Sequence, residues 1–212
     1  MDTIVSVGRM DHGSTDAVAR LFAEYDAAAV SGGLIRRQLY SYNGLFIHLR
    51  DLKDAQDDET GTAADRFRSD LATFVHPLDG DRGAPRRFYL WQGTVTGSVI
   101  GLHSTIVVNR MAPKDSDEVA GLFAELDATD FPVTMGTRRR QLFSREGIYF
   151  HIQDFERVDG FQLIDKAWRD SDPRFIKICD ELENYIDRYD PQTYRTPADA
   201  IAARFYEWTV AA

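Results

Sequence analysis

The chain has 212 residues, 43% hydrophobic and 28% charged, a globular balance that argues against disorder and fits one large domain or two of roughly 100 residues. A formal charge of −9, from 34 acidic and 25 basic residues, argues against a general nucleic-acid binder, since phosphate contact needs a basic surface. No run approaches ~18 apolar residues, so no membrane span is expected. The opening MDTIVSVGRMDHGS lacks a basic stretch followed by an apolar one, and the lone Cys179 allows no intrachain disulfide; a cytoplasmic protein is the simplest expectation.

In chain order, Thr3–Arg9 alternates and is rich in β-branched residues, which predicts a strand. Ser14–Asp26 places Val18, Leu21, Phe22 and Tyr25 at helical spacing behind a Ser or Thr cap. Arg36–Tyr42 and Gly44–Arg50 flank Asn43-Gly44, a strong hairpin signal. Asp51–Thr60 reads as a solvated acidic loop. Ala63–Val75 predicts a second helix and Arg87–Gln92 a closing strand. Gly93-Thr94-Val95-Thr96-Gly97-Ser98 reads as a join. The same order then recurs: Ser104–Arg110, Ser116–Asp127, Arg139–Ser144, Ile148–Asp154, Pro173–Tyr189 and Arg204–Val210, with an added short helix at Gly160–Asp170.

The recurrence is also visible residue by residue. Arg9–Ala27 and Arg110–Ala128 share 11 of 19 positions, and Arg36–Asp51 and Arg139–Asp154 share 8 of 16. Phe88-Tyr89-Leu90-Trp91 echoes Phe205-Tyr206-Glu207-Trp208. A period near 100 is too long for a solenoid, so the chain reads as a duplicated domain, 1–97 and 98–212. Strand–helix–strand–strand–helix–strand is the ferredoxin-like order. In the third strand, Leu45, Ile47 and Leu49 (Ile148, Phe150 and Ile152 in the second half) are expected to lie under the helices. Phe46 and His48 (Tyr149 and His151) are expected to face a second covering layer, the sheet of the other half. The expected fold class is therefore α+β: two tandem ferredoxin-like (βαββαβ) domains packed sheet to sheet as an intrachain pseudo-dimer of the dimeric α+β barrel type.

Arg110-Met111, Leu122-Phe123-Ala124-Glu125-x-Asp127, Phe131-Pro132, Gly136-Thr137-Arg138-Arg139-Arg140-Gln141-Leu142-Phe143 and Ile148-Tyr149-Phe150-His151 together resemble the tetracenomycin-type aromatic polyketide cyclases. The second half resembles them over nearly its whole length. The first is more divergent, through Arg9-Met10-Asp11, Leu21–Asp26, Arg36–Tyr40 and Phe46-Ile47-His48. The resemblance implies a cofactor-independent bacterial enzyme that closes rings on poly-β-ketone substrates by intramolecular aldol condensation and dehydration. A His often precedes the helix-end Asp in that family; Tyr25 and Leu126 stand there instead. The resemblance also allows a cofactor-free monooxygenase acting on an anthrone-like phenol, or a non-catalytic polyketide-binding protein. The acyl carrier protein of a polyketide synthase is the macromolecular partner it would imply.

Such chemistry needs orientation of the reacting carbons, a donor on the developing alkoxide and a base near an already acidic methylene. Arg37 and Arg140 could supply the donor, or pair with Asp26 and Asp127, and the two readings are compatible. Asp127 could alternatively act as base. His48 and His151 could be acid or base, or interface residues between the sheets. Tyr25, Tyr149, Trp91 and Trp208 could stack on a planar substrate or simply pack the core; Phe131 beside Pro132 could line a pocket. Cys179 reads as a buried hydrophobe. No cofactor is expected: there is no P-loop, no G-x-G-x-x-G and no G-x-S-x-G, and the five histidines (12, 48, 76, 103, 151) form no close metal-ligand pair. The second half keeps Phe131-Pro132 and Arg138 where the first has Ser31-Gly32-Gly33 and Ile35, so it is expected to hold the working site.

Overall fold

The computed structural model describes residues 1–28, 33–53, 61–78, 83–93, 98–170 and 172–210. The expected acidic loop and inter-repeat join fall largely at 54–60 and 94–97, and Ser31-Gly32 at 29–32, outside those residues. The chain forms two compact units, Met1–Ala84 with Ala203–Ala212, and Pro85–Ala202.

The first unit carries β1 (Asp2–Met10), α1 (Thr15–Ala28), β2 (Leu34–Tyr42), β3 (Leu45–Leu52), α2 (Thr62–Leu71) and β4 (Val75–Pro77). The second carries β5 (Arg86–Gln92), β6 (His103–Met111), α3 (Ser116–Asp127), the one-turn α4 (Phe131–Thr134), β7 (Thr137–Arg145), β8 (Ile148–Phe155), α5 (Gly160–Arg169), α6 (Pro173–Leu182) and β9 (Ile186–Arg188). The final strand, β10 (Ala203–Thr209), returns to the first unit. Each unit has one five-stranded antiparallel sheet, in the orders β10-β2-β3-β1-β4 and β5-β7-β8-β6-β9. The α+β, ferredoxin-like expectation is met in both.

The repeat and the compact unit are not the same stretch of chain. The closing strand of each repeat pairs with the hairpin of the other: β5 with β7, and β10 with β2. Both exchanged strands carry an irregularity at equivalent places, between Arg87 and Tyr89 and between Arg204 and Tyr206. An extra residue there re-aims the side chains that follow.

The two hairpins turn at Asn43-Gly44 and Glu146-Gly147, where all four residues have positive φ (45°, 77°, 49° and 81°). That conformation suits a two-residue hairpin and explains the Gly at the second position of both. The tight turns fix the register, Tyr42 opposite Leu45 and Arg145 opposite Ile148.

Register decides which strand face meets the helices, and it reverses the expectation above. Phe46 and Leu39 pack with Val18, Phe22 and Phe67 of α1 and α2, and Tyr149 and Leu142 pack with Val119, Phe123 and Ile178 of α3 and α6. The aromatic and histidine face therefore lies under its own unit's helices. Leu45, Ile47 and Leu49 are buried on the reverse face. Because both faces are dry, alternation shows that the strand has two sides without showing which one a helix covers. Phe22 is fully buried at the centre of the first cluster, and its truncation to Ala would cost about 3–5 kcal/mol.

Candidate active site

Helix α3 and strands β7 and β8 bring three sequence-predicted residues together in the second unit. Asp127 ends α3, Arg140 lies on β7 and His151 on β8. Arg140 Nε donates to both Asp127 carboxylate oxygens, at 3.1 and 3.0 Å. Its Nη1 donates to His151 Nε2 at 2.6 Å and reaches Gln153 Oε1 at 3.5 Å. The guanidinium lies 4.8 Å from the Phe123 ring centroid, and the His151 ring meets the same phenyl edge-on at 4.9 Å. Nη2 of Arg140 donates to none of the described residues. Arg140 and Asp127 are buried and His151 is partly so.

Since Arg140 is a permanent donor, His151 accepts through Nε2 and carries its proton on Nδ1. Burial, and secondarily the Arg140 charge, push the imidazole well below its ordinary range, so it is neutral at pH 7. Burial raises Asp127; the Arg140 guanidinium and the Tyr89 hydroxyl pull it back without cancelling that effect.

Tyr89 is a site residue that the candidate set missed. Its hydroxyl donates to Asp127 Oδ2 at 2.9 Å. Tyr89 belongs to the first sequence repeat but sits on the exchanged strand β5, so the second unit's site draws on both repeats. Tyr206 on β10 likewise donates to Asp26 Oδ2 at 2.9 Å. The signal was the repeated Phe-Tyr-x-Trp echo; what it lacked was the partner sheet.

The first unit holds the matching set: Arg37 Nε donates to Asp26 at 3.0 Å and Nη1 to His48 Nε2 at 2.8 Å. Its surroundings differ. Tyr25, where the second repeat has Leu126, stacks on Phe67 at 4.3 Å and lies 5.8 Å from the Arg37 guanidinium, with Phe22 at 5.2 Å. Tyr25 thus packs the core over Arg37.

In the second unit, Arg140 and His151 instead line a cavity of about 230 Å³. Phe123, Leu126, Phe131, Ile164 and Phe175 form part of its apolar wall, with Tyr149, Asn109 and Gln153 as polar members. Phe131 is held by Phe175, 6.4 Å between ring centroids, and by the Arg174 guanidinium 5.0 Å from its centroid. Helix α5, which has no counterpart among the described residues of the first repeat, contributes Ile164 and Trp168. Cys179 also borders the cavity, and burial pushes its thiol up to about 12, which keeps it protonated. Of the expected substrate-binding residues, the stacking candidate Tyr149 and the pocket-lining Phe131 border the cavity. Trp91 does not, and Trp208 lies on β10 opposite Arg37 in the other sheet.

A second buried pair in each unit was not anticipated. Arg36 Nε and Nη2 donate to Asp51 at 2.9 and 2.7 Å, and Arg139 Nε donates to Asp154 at 2.6 Å. Each Asp also accepts a β1 or β6 hydroxyl, from Thr3 at 2.7 Å or from Ser104. The adjacent arginines of each Arg-Arg-Gln-Leu motif thus diverge to opposite sheet faces, one to a helix-end Asp and one to a strand Asp.

Fold and site define a class: a duplicated ferredoxin-like α+β protein with a lined cavity against a buried Arg–Asp–His set. The sequence pattern described as polyketide synthesis cyclase matches residues 2–92 and again 103–209, and the chain belongs to that family. The tetracenomycin F2 cyclase of Streptomyces glaucescens is 33% identical over 107 residues, 50% of this chain and 94% of the relative. A polyketide synthase protein of Streptomyces cyaneus, CurG, is 33% identical over 107 residues, 50% of this chain and 97% of the relative. A solved anthrone oxidase-like protein shares the fold over 99% of this chain and 93% of its own, with TM-score 0.59 and 10% identity. Among the described residues no helix is long and apolar enough to cross a membrane.

Proposed function

We propose that the second unit directs an intramolecular aldol condensation and dehydration on a poly-β-ketone-derived intermediate of aromatic polyketide biosynthesis, with no cofactor. The observation that carries this reading is Arg140 on the wall of an apolar cavity, locked by Asp127 and with Nη2 uncommitted among the described residues. Family membership and the similarity to a tetracenomycin cyclase support it.

A methylene between two carbonyls is intrinsically acidic, so the demand on the protein is selection of one ring closure among many. The cavity supplies that selection by holding the reacting carbons together. Nη2 of Arg140 hydrogen-bonds the carbonyl oxygen that becomes an alkoxide, in a dry site where the interaction is strong. Asp127 acts through Arg140 as a positioning residue; it is absent from the cavity wall and spoken for by Arg140 and Tyr89. His151 accepts the methylene proton once substrate has displaced its bond from Arg140, and returns it to the alkoxide. Loss of that hydroxyl as water, together with the remaining proton of the same methylene carbon, then gives the unsaturated ring, and aromatisation drives the sequence forward.

The test is turnover of a poly-β-ketone made in situ by a minimal ketosynthase pair and acyl carrier protein, in air and under argon, with products resolved by mass spectrometry. A ring-closed, dehydrated product formed equally in both is expected. Dependence on oxygen, with an added oxygen atom, would overturn the reading in favour of a monooxygenase, and an unchanged product distribution would favour a binding protein.

A further inference from the structure

Two polar side chains that line the cavity each bury an atom with no hydrogen-bond partner among the described residues. Tyr149 is 2% exposed, and its hydroxyl is buried with no hydrogen-bond partner among the described residues. Asn109 Oδ1 is buried and unpartnered in the same way. The two stand directly opposite each other in the antiparallel pair of β8 and β6, and both line the cavity. They do not bond each other, because an amide close to the strand and a phenol at the end of a ring differ in reach. Burying polar atoms without partners is costly, and most such groups in folded proteins are paired. Gly8 and Phe46 stand at the matching positions of the first unit, opposite each other in β1 and β3, so the polar pair is particular to the second unit, where it lines this cavity.

We propose that Tyr149 and Asn109 are specificity-determining residues that bind two separate oxygens on one edge of an oxygenated aromatic or pre-aromatic substrate. The proposal rests on the ring-closing reading for the identity of that substrate. The Tyr149 hydroxyl donates to a carbonyl or enol oxygen, and the Asn109 amide accepts from a hydroxyl. A polyketide carries oxygens on alternate carbons, so neighbouring oxygens can meet side chains of different reach along one wall. Arg140 then takes a third oxygen, the one at the reacting carbonyl. Three points of attachment in an otherwise apolar cavity fix which carbons face each other, and that choice is the part of the reaction the substrate cannot make unaided. Burial raises the phenol above its ordinary range, which keeps it a donor.

Calorimetric titration of the whole chain with 1,3-dihydroxynaphthalene and with naphthalene tests this without requiring turnover. Wild type is expected to bind the dihydroxy compound more tightly than naphthalene. Tyr149→Phe and Asn109→Leu, close in shape to the native residues, should each weaken dihydroxynaphthalene binding by roughly tenfold and leave naphthalene binding unchanged. Tyr149→Phe should also raise the melting temperature of the unliganded protein, an effect opposite to that of a hydroxyl that holds the fold together. Wild-type affinity in both variants, or no preference in wild type, would overturn the inference. The outcomes separate the two readings: loss of probe binding in a protein that closes no ring leaves this inference standing and removes the cyclase. Ring closure with an unaltered product pattern in both variants removes the inference alone.

Discussion

Arg140 and Arg37 make the same bonds to an Asp and a His, and differ in what lies beyond them. Arg140 opens onto a cavity, whereas Tyr25 and Phe22 pack against Arg37. Arg140→Ala is expected to lower kcat/KM for ring closure by roughly 100- to 1000-fold, the range for removing a donor to a developing oxyanion. Arg37→Ala should leave turnover near wild type once folding is confirmed, and steady-state kinetics on one substrate decide between them. A second residue-level prediction concerns pH. His48 and His151 are both held well below their ordinary value of 6.5, by burial first and by the neighbouring Arg37 and Arg50, or Arg140, second. A depressed imidazole favours the folded state fully above pH 6.5, and that contribution drains away as pH falls below it, since the unfolded chain takes up the proton first. Asp127, raised by burial, has the opposite sign: its burden is relieved as pH falls through its raised value toward the ordinary carboxylate range, one such group against two histidines. The melting temperature should therefore drop on acidification from pH 7 to 5, and a His48→Gln/His151→Gln variant should show a flatter profile. The Asp, Arg and His trio was legible in the sequence because duplication displayed it twice. Asn109 and Tyr89 were not, since nothing local marks an amide or a phenol as lacking, or holding, a distant partner.

Elements were legible where one face is apolar and a turn residue marks the end. Ser116–Asp127 is read and found identically, and both hairpins follow from a Gly that admits positive φ. The short strand β9 was absorbed into a predicted helix, and β4 was left out beyond one that ran to Val75, because three residues at a sheet edge carry no period of their own. The face assignment of β3 and β8 failed for a related reason: two buried faces look alike in one dimension. Exchange of β5 was invisible locally, since a strand's alternation does not name its sheet. That exchange has a measurable consequence. Tyr89 reaches Asp127 only because β5 joins the second sheet, and Asp127 in turn fixes Arg140. Tyr89→Phe removes a hydrogen bond to a carboxylate, and kcat is expected to fall by roughly tenfold with little change in KM. Tyr206→Phe, the same change at Asp26, should leave kcat unchanged.

At the scale of the whole molecule, duplication and exchange together mean that neither repeat contains a complete sheet. A piece comprising Met1–Gly97 keeps β1 to β4 but lacks β10, the edge strand beside β2; it also carries β5 with no β7 to pair with. A piece comprising Ser98–Ala212 has the complementary defect. Removing the edge strand exposes the backbone donors and acceptors of β2 or β7 and strips the Tyr from the buried Asp, while the orphaned strand is left unpaired. Expressed alone, neither piece is expected to give a folded monomer, as judged by sedimentation and amide exchange. Mixed, they should form a 1:1 complex with protected amides in β2, β5, β7 and β10. Ring-closing activity should return in the mixture, where β5 brings Tyr89 back beside the Asp127 that fixes Arg140. The second piece has its own Phe205-Tyr206-x-Trp208, so it can also pair with a copy of itself; Tyr206 would then occupy the place of Tyr89. Two well-folded monomers with protected strands would show that each repeat can close its sheet from within, and the exchanged topology would then be unnecessary to its stability.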